Sequence, residues 1–206
     1  MKAPKSNNTS DKPRVLVPAG THLAILYSIV DLGTHSNSFR PDDKPKRMVR
    51  LTWELPKKRH DFDGVSKPLS ISKEFSFSMY EKATLRKTVE SITGATLSNK
   101  DADNFDFNQL LGAGCLLSVK HVKSQDGTKT YSSFSGCAPV MEGMTVSKPE
   151  NKLAIYSIED GENEVFQALP DWLKKKIQEA PEWKSAKIAT EDEDRKSTRL
   201  NSSHRT

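Results

Sequence analysis

The sequence predicts a mainly β protein with some α: a five-stranded OB-like Greek-key barrel with a helix between strands three and four, plus a small helical C-terminal extension. Three observations predict it. Residues 69–77 alternate apolar and polar side chains with a period of two, the mark of a half-buried strand. Leu85, Val89 and Ile92 recur at helical spacing just beyond it. The order three strands, one helix, two strands is that of an OB barrel.

Residues 1–18 are polar, contain Pro4, Pro13 and Pro18, and are expected to be a disordered arm. The barrel is expected over residues 19–140. Strand one should run from His22 to Leu32, with Leu23, Ile25, Tyr27 and Ile29 on one face and Ala24, Leu26, Ser28 and Val30 on the other. A turn-rich loop follows from Gly33 to Pro45. Strand two should run from Arg47 to Leu55, burying Val49, Leu51, Trp53 and Leu55, and Pro56 should end it. Residues 57–67 read as a basic loop, and strand three as Leu69–Phe77.

Ser78-Met79-Tyr80-Glu81 has the spacing of a capping box opening the helix, and Gly94 supplies its stop. Lys82, Arg86 and Lys87 lie off the apolar line, and a solvated helix face accounts for them more economically than a phosphate site. Phe105, Phe107, Leu110 and Leu111 gather before Gly112. Strand four is expected at Cys115–Lys123 and strand five at Lys129–Gly136, joined by a turn at Asp126-Gly127. Tyr131 and Phe134 have opposite parity, so at most one faces the core.

Residues 141–193 read as an acidic C-terminal extension with an exit turn at Met141–Met144, a short strand within Lys152–Ile158, and helices at Glu164–Leu169 and Asp171–Ala180. Trp172, Leu173 and Ile177 form an apolar stripe that either packs on the barrel or meets a partner. Residues Asp194–His204 match the translation of a common sequencing-library adapter in all eleven codons, so residues 194–206 are expected to be non-native. The formal charge of +5 therefore needs dividing. Residues 194–206 carry four basic residues against one acidic, and residues 141–193 carry seven against twelve. The remaining +7 falls on residues 1–140. A basic body with an acidic tail suits a nucleic-acid binder, and also suits ordinary variation between a domain and its linker.

No apolar run approaches a membrane span, and the N-terminus lacks the apolar core of a signal peptide, so a cytoplasmic protein is expected. The two cysteines, Cys115 and Cys137, are expected to be buried and reduced. No Walker-type loop, GxSxG elbow or metal-spaced histidine pair is present. His60-Asp61-Phe62-Asp63 and Asp101, Asp103 and Asp106 read as solvated or capping groups rather than metal ligands. These readings favour binding over catalysis, with no cofactor and no metal.

A single-strand-binding barrel needs cations for phosphates and flat rings for unstacked bases. The candidate cations are Arg47 and Arg50 on strand two, Lys57, Lys58 and Arg59 after it, Lys120 and Lys123 on strand four, and Lys129 on strand five. Tyr131 is the preferred stacking ring, because Trp53, Phe75 and Phe77 share parity with apolar neighbours.

Five motifs carry a resemblance: VRLTWELP at Val49–Pro56, SxxEKAxLRKxxExxxG at Ser78–Gly94, FDxxxLLG at Phe105–Gly112, CLLSVKH at Cys115–His121 and LPDWLKKKI at Leu169–Ile177. In order and spacing, over roughly Ala19 to Trp183, the chain resembles a family of bacteriophage and prophage replication-associated proteins. These are often described as single-stranded-DNA-binding or replication-initiation proteins. The resemblance implies a non-catalytic single-stranded-DNA-binding protein of replication or recombination, working in the bacterial host cytoplasm. Replication or recombination proteins would then be met through the acidic C-terminal region. The alternative is a replication-initiation or helicase-loading adaptor that binds protein partners through barrel and extension.

Overall fold

The computed structural model describes residues 15–36, 42–124 and 126–185. The chain is mainly β with several short helices. Strands β1 (Gly20–His35), β2 (Lys46–Phe62), β3 (Val65–Ser76), β4 (Gly114–Lys123) and β5 (Thr130–Ala138) form one antiparallel sheet in the order β3-β2-β1-β4-β5. A short strand, β6 (Ala154–Tyr156), pairs parallel to β1. Helix α1 (Thr84–Thr93) lies between β3 and β4 in the chain.

Strand β1 is shared between two partners. Its residues 20–25 pair with β4 and its residues 25–35 with β2. The handover curls the sheet into a half-barrel and brings its two ends together. Phe134 of β5 therefore stacks on Trp53 of β2, with ring centroids 5.3 Å apart, and meets Phe75 of β3 edge-on at 5.8 Å. Apolar residues of all five strands fill the inside of the curl, and Leu85, Val89 and Ile92 of α1 cover it.

Two expectations, the alternation in strand one and the end of strand two, are corrected by bulges. In β1 the register steps from Leu26↔Trp53 to Ser28↔Thr52, leaving Tyr27 as an extra residue. A bulge reverses side-chain parity beyond it, so Ala24, Leu26 and Ile29 share the inner core. A second bulge follows between Asp31 and Gly33, and Val30 and Leu32 face a different core. In β2 the strand does not end at Pro56. Beyond Glu54 its β1 side has no ladder partner, so proline forfeits no hydrogen bond there. Pro56, Lys57 and Lys58 bulge out between the pairs Leu55↔Leu69 and Arg59↔Pro68. The expected basic loop at 57–67 is instead a hairpin arm, turned by Asp63 (φ 53°) and Gly64 (φ 84°).

The expected capping box is also corrected. Phe77 still donates its N–H to Arg47 O at 2.7 Å, so the chain cannot coil at Ser78. The Ser78 hydroxyl accepts from Tyr80 N–H in a turn, and α1 starts after Ala83 with no side-chain cap. Its end is as expected, with Gly94 at φ 71° donating to Glu90 O. Arg86, expected on a solvated face, is buried. It donates to the Glu90 carboxylate, Asn99 Oδ1 and the carbonyls of Met79 and Leu97, and so ties α1 to the following helix α2 (Asn99–Asp103).

The C-terminal segment packs on the outer side of β1, β2 and β3. Helices α3 (Glu164–Ala168) and α4 (Asp171–Glu179) enclose a second core of Tyr156, Ile158, Phe166, Leu173, Ile177, Ala180 and Trp183 against Val30 and Leu32. Gly33 (φ 75°) permits this approach, because a Cβ there would lie 2.4 Å from Ala180 Cβ. The Glu182 carboxylate accepts from the backbone N–H and the hydroxyl of Thr34.

Residues 15–18, expected within a disordered arm, are held against the sheet. Val17 is buried, and its carbonyl accepts from His121 Nε2 and the Ser132 hydroxyl. The rest of that arm, Gln125 of the hairpin turn and the adapter-like stretch 194–206 lie outside the described residues. Among the described residues no helix is long and apolar enough to cross a membrane.

Candidate nucleic-acid interface

Of the nine residues singled out in the sequence, the eight basic ones divide into two sets, and Tyr131 stands apart. The three arginines are engaged by carboxylates. Arg47 donates to Asp31, at 2.5 Å from Nη2 to Oδ2, and to Glu159 at 3.3 Å. The hydrogen bond to Asp31 raises the Arg47 pKa above its usual value. Arg50 points outward from the core, as its parity requires, and pairs with Glu74 at 3.3 Å. Burial under the C-terminal segment pushes its pKa down. Arg59 grips Glu150 and also bonds the hydroxyl and carbonyl of Ser66. The hydrogen bond to Glu150 raises the arginine and lowers the acid.

The lysines differ. Among the described residues, no ion pair engages Lys57, Lys58, Lys120, Lys123 or Lys129. They sit on two hairpins. Lys57 and Lys58 occupy the β2 bulge at the base of the β2–β3 arm. On the β4–β5 hairpin Lys120 is opposite Ser133 and Lys123 opposite Thr130. Lys129 is exposed just before β5. Tyr131 lies opposite Val122 and is half-buried. Residues 15–17 run between the two hairpins: Val15 lines a hollow beside His60 and Phe62, while Val17 is bonded to His121 and Ser132. The β4–β5 turn is stiffened by Asp126, whose carboxylate accepts from the Ser124 hydroxyl and from the hydroxyl and N–H of Thr128. Those bonds, the Ser124 one foremost, hold its pKa down at about 2.

The outer face of β1–β3 was not assigned from the sequence beyond Arg50. Thr52, Ser70, Ser72 and Glu74 have the parity opposite to the core, so alternation alone puts them outside. What covers them was illegible. Glu54, fully buried, accepts from the N–H groups of Glu150 and Asn151 and from Asn151 Nδ2, at 2.7–3.0 Å. Lys176 of α4 reaches Glu74 at 2.6 Å. Trp172 of α4 lies under the Arg50 guanidinium, 4.9 Å from ring centroid to Cζ. Between strands and segment a cleft of about 380 Å³ remains open.

Cys115 and Cys137 are free thiols. The hydrogen bond with Cys137 and burial both push the Cys115 thiol up, away from thiolate chemistry. Among the described residues no group of three His, Cys, Asp or Glu is placed to hold a metal ion.

No protein-family model matches the chain, and no curated protein is significantly similar to it.

Proposed function

We propose that this protein binds single-stranded DNA without making or breaking a bond, as a phage-type protein of replication or recombination acting in the bacterial host cytoplasm. One observation carries the reading: five lysines without carboxylate partners among the described residues converge on two hairpins linked by residues 15–17. Surface lysines paired with acids offer little to a phosphate, whereas unpaired ones release counterions when they meet it. Tyr131, beside them on β5, offers a π face with a water-tolerant edge. The β3-β2-β1-β4-β5 order, with β1 shared between β2 and β4, supports reading the half-barrel as an OB-like Greek-key barrel with α1 between strands three and four. The motif order over Ala19–Trp183 supports the phage connection.

Anisotropy titrations with labelled single- and double-stranded oligonucleotides test the proposal. Single strands should bind more tightly, with a log–log salt slope of roughly −0.7 per phosphate neutralised. Equal affinity for duplex, or affinity indifferent to salt, would count against it. Exposed Met141, Met144 and Leu153 favour a second reading, an adaptor that docks replication proteins on the extension.

A further inference from the structure

The cleft between the outer face of β1–β3 and the C-terminal segment has the composition of a binding site rather than of a packing defect. Its volume, about 380 Å³, lies in the range of small-molecule sites, roughly 300–1,000 Å³. One side is hydroxylic: Thr52 Oγ1 and Ser72 Oγ are 3.1 Å apart, and Tyr27 and Ser70 line it with them. The other side is apolar, formed by Val165, Leu169 and Leu173. At the lip Trp172 is 52% exposed, with the Arg50 guanidinium over its ring. Charge at this lip is not balanced. Glu74 is shared by Arg50 at 3.3 Å and Lys176 at 2.6 Å, and Lys152 and Glu164 also line the cleft, so three cations face two carboxylates there.

We propose that this cleft is a slot for one nucleotide unit, and that the C-terminal segment, through Trp172, supplies half of it. The inference rests on the single-strand reading above. A flat base needs a π surface on one side, and the Arg50–Trp172 pair supplies one that is already cation-backed. The apolar wall excludes water from its other side. The hydroxyl row can donate to or accept from any base edge or sugar, so the slot tolerates every base. The surplus positive charge at the lip meets the phosphate that must stay outside. An aliphatic ligand would waste the hydroxyls, and a bare anion would waste the ring.

The full chain provides its own reporter. Trp53 and Trp183 are buried, so Trp172 is the exposed tryptophan among the three. Intact protein is titrated with dAMP, with dTMP and with an oligo-dT strand while tryptophan emission is followed. Strand binding is measured separately by anisotropy. Quenching by the mononucleotides and the strand is expected, and Trp172→Phe should abolish it. Trp172→Ala should weaken strand binding by roughly 5-fold or more with an unchanged salt slope. The pair Thr52→Val and Ser72→Ala should weaken it too while the quench at saturation persists. A strand that binds wild type and Trp172→Ala alike, with no quench, overturns the slot and leaves the single-strand reading standing. Quenching by mononucleotides with no strand binding keeps the slot, as a site for free nucleotide, and overturns the single-strand reading. Silence in both measurements overturns both.

Discussion

Trp53 shows how much one side chain can carry in a half-barrel. It is fully buried, stacks on Phe134 across the curl, and its Nε1–H meets no acceptor among the described residues. Its contribution is therefore packing, not hydrogen bonding. Trp53→Ala should cost about 3–5 kcal/mol in a urea melt, the usual range for emptying a large aromatic site. Trp53→Phe, which keeps a ring and removes the unpaired donor, should cost distinctly less. Equal losses would mean that the indole nitrogen is bonded after all. At Asp126 the outcome depends on pH. Its carboxylate is held at about 2, below the ordinary value of 3.8. The support it gives the β4–β5 turn is thus complete above that ordinary value and is lost as pH falls through 2. A carbon-detected NMR titration should place its midpoint near 2, and removing the donors with Ser124→Ala and Thr128→Val should return the midpoint toward 3.8.

At the scale of elements, Gly33 decides whether the C-terminal segment can dock. Alanine there would combine a left-handed backbone with Cβ approaches of 2.4 Å to Ala180 and 2.7 Å to Ile158. Gly33→Ala should therefore speed amide exchange through residues 154–183 more than within β2–β3. Gly64→Ala is a fair control, since its φ is also positive but no atom lies within 4 Å of the new Cβ. The same scale explains what could be read in advance. Unbroken alternation placed Val49, Leu51, Trp53, Ile71 and Phe75 inside, and the structure buries all of them. Parity failed in β1 because Tyr27 adds a residue to one strand only, and a bulge is a property of the pair. Pro56 misled because its tolerance depends on β1 having turned away to β4. Arg86 looked solvated because nothing local announces the acceptors at Leu97 and Asn99 that surround it. For the candidate interface, the basic residues were legible as types, but their acidic partners lie up to 112 residues away. Which cations remain free is set by tertiary pairing.

At the scale of the whole molecule, charge is sorted by the fold. The acidic C-terminal segment meets Arg47 through Glu159 and Arg59 through Glu150, while the lysines of the β4–β5 hairpin have no such partners among the described residues. The two sets should answer differently to substitution. Replacing Lys120, Lys123 and Lys129 with alanine should weaken strand binding and flatten the salt slope by roughly 0.7 for each phosphate that is no longer neutralised. The thermal midpoint should hardly move, because these side chains are exposed. Arg47→Ala should do the reverse: it strands the buried Asp31, so stability falls while the slope is kept. A flattened slope in Arg47→Ala with full stability would show that this arginine meets DNA directly.

Strand β1 also sets a timetable. Among the described residues it is the first strand made, yet β4 begins at Gly114 and β6 at Ala154. At about 5–20 residues per second, roughly 4–16 seconds of synthesis separate the end of β1 from the start of β4. Within that interval β2 and β3 can zip together as a hairpin and take up one edge of β1, but its first half has nothing to pair with. The newborn chain thus carries an open strand edge, flanked by Leu23, Ala24 and Ile25, until β4 has been made. The strand that finally joins both layers of the protein is the one its synthesis leaves waiting longest.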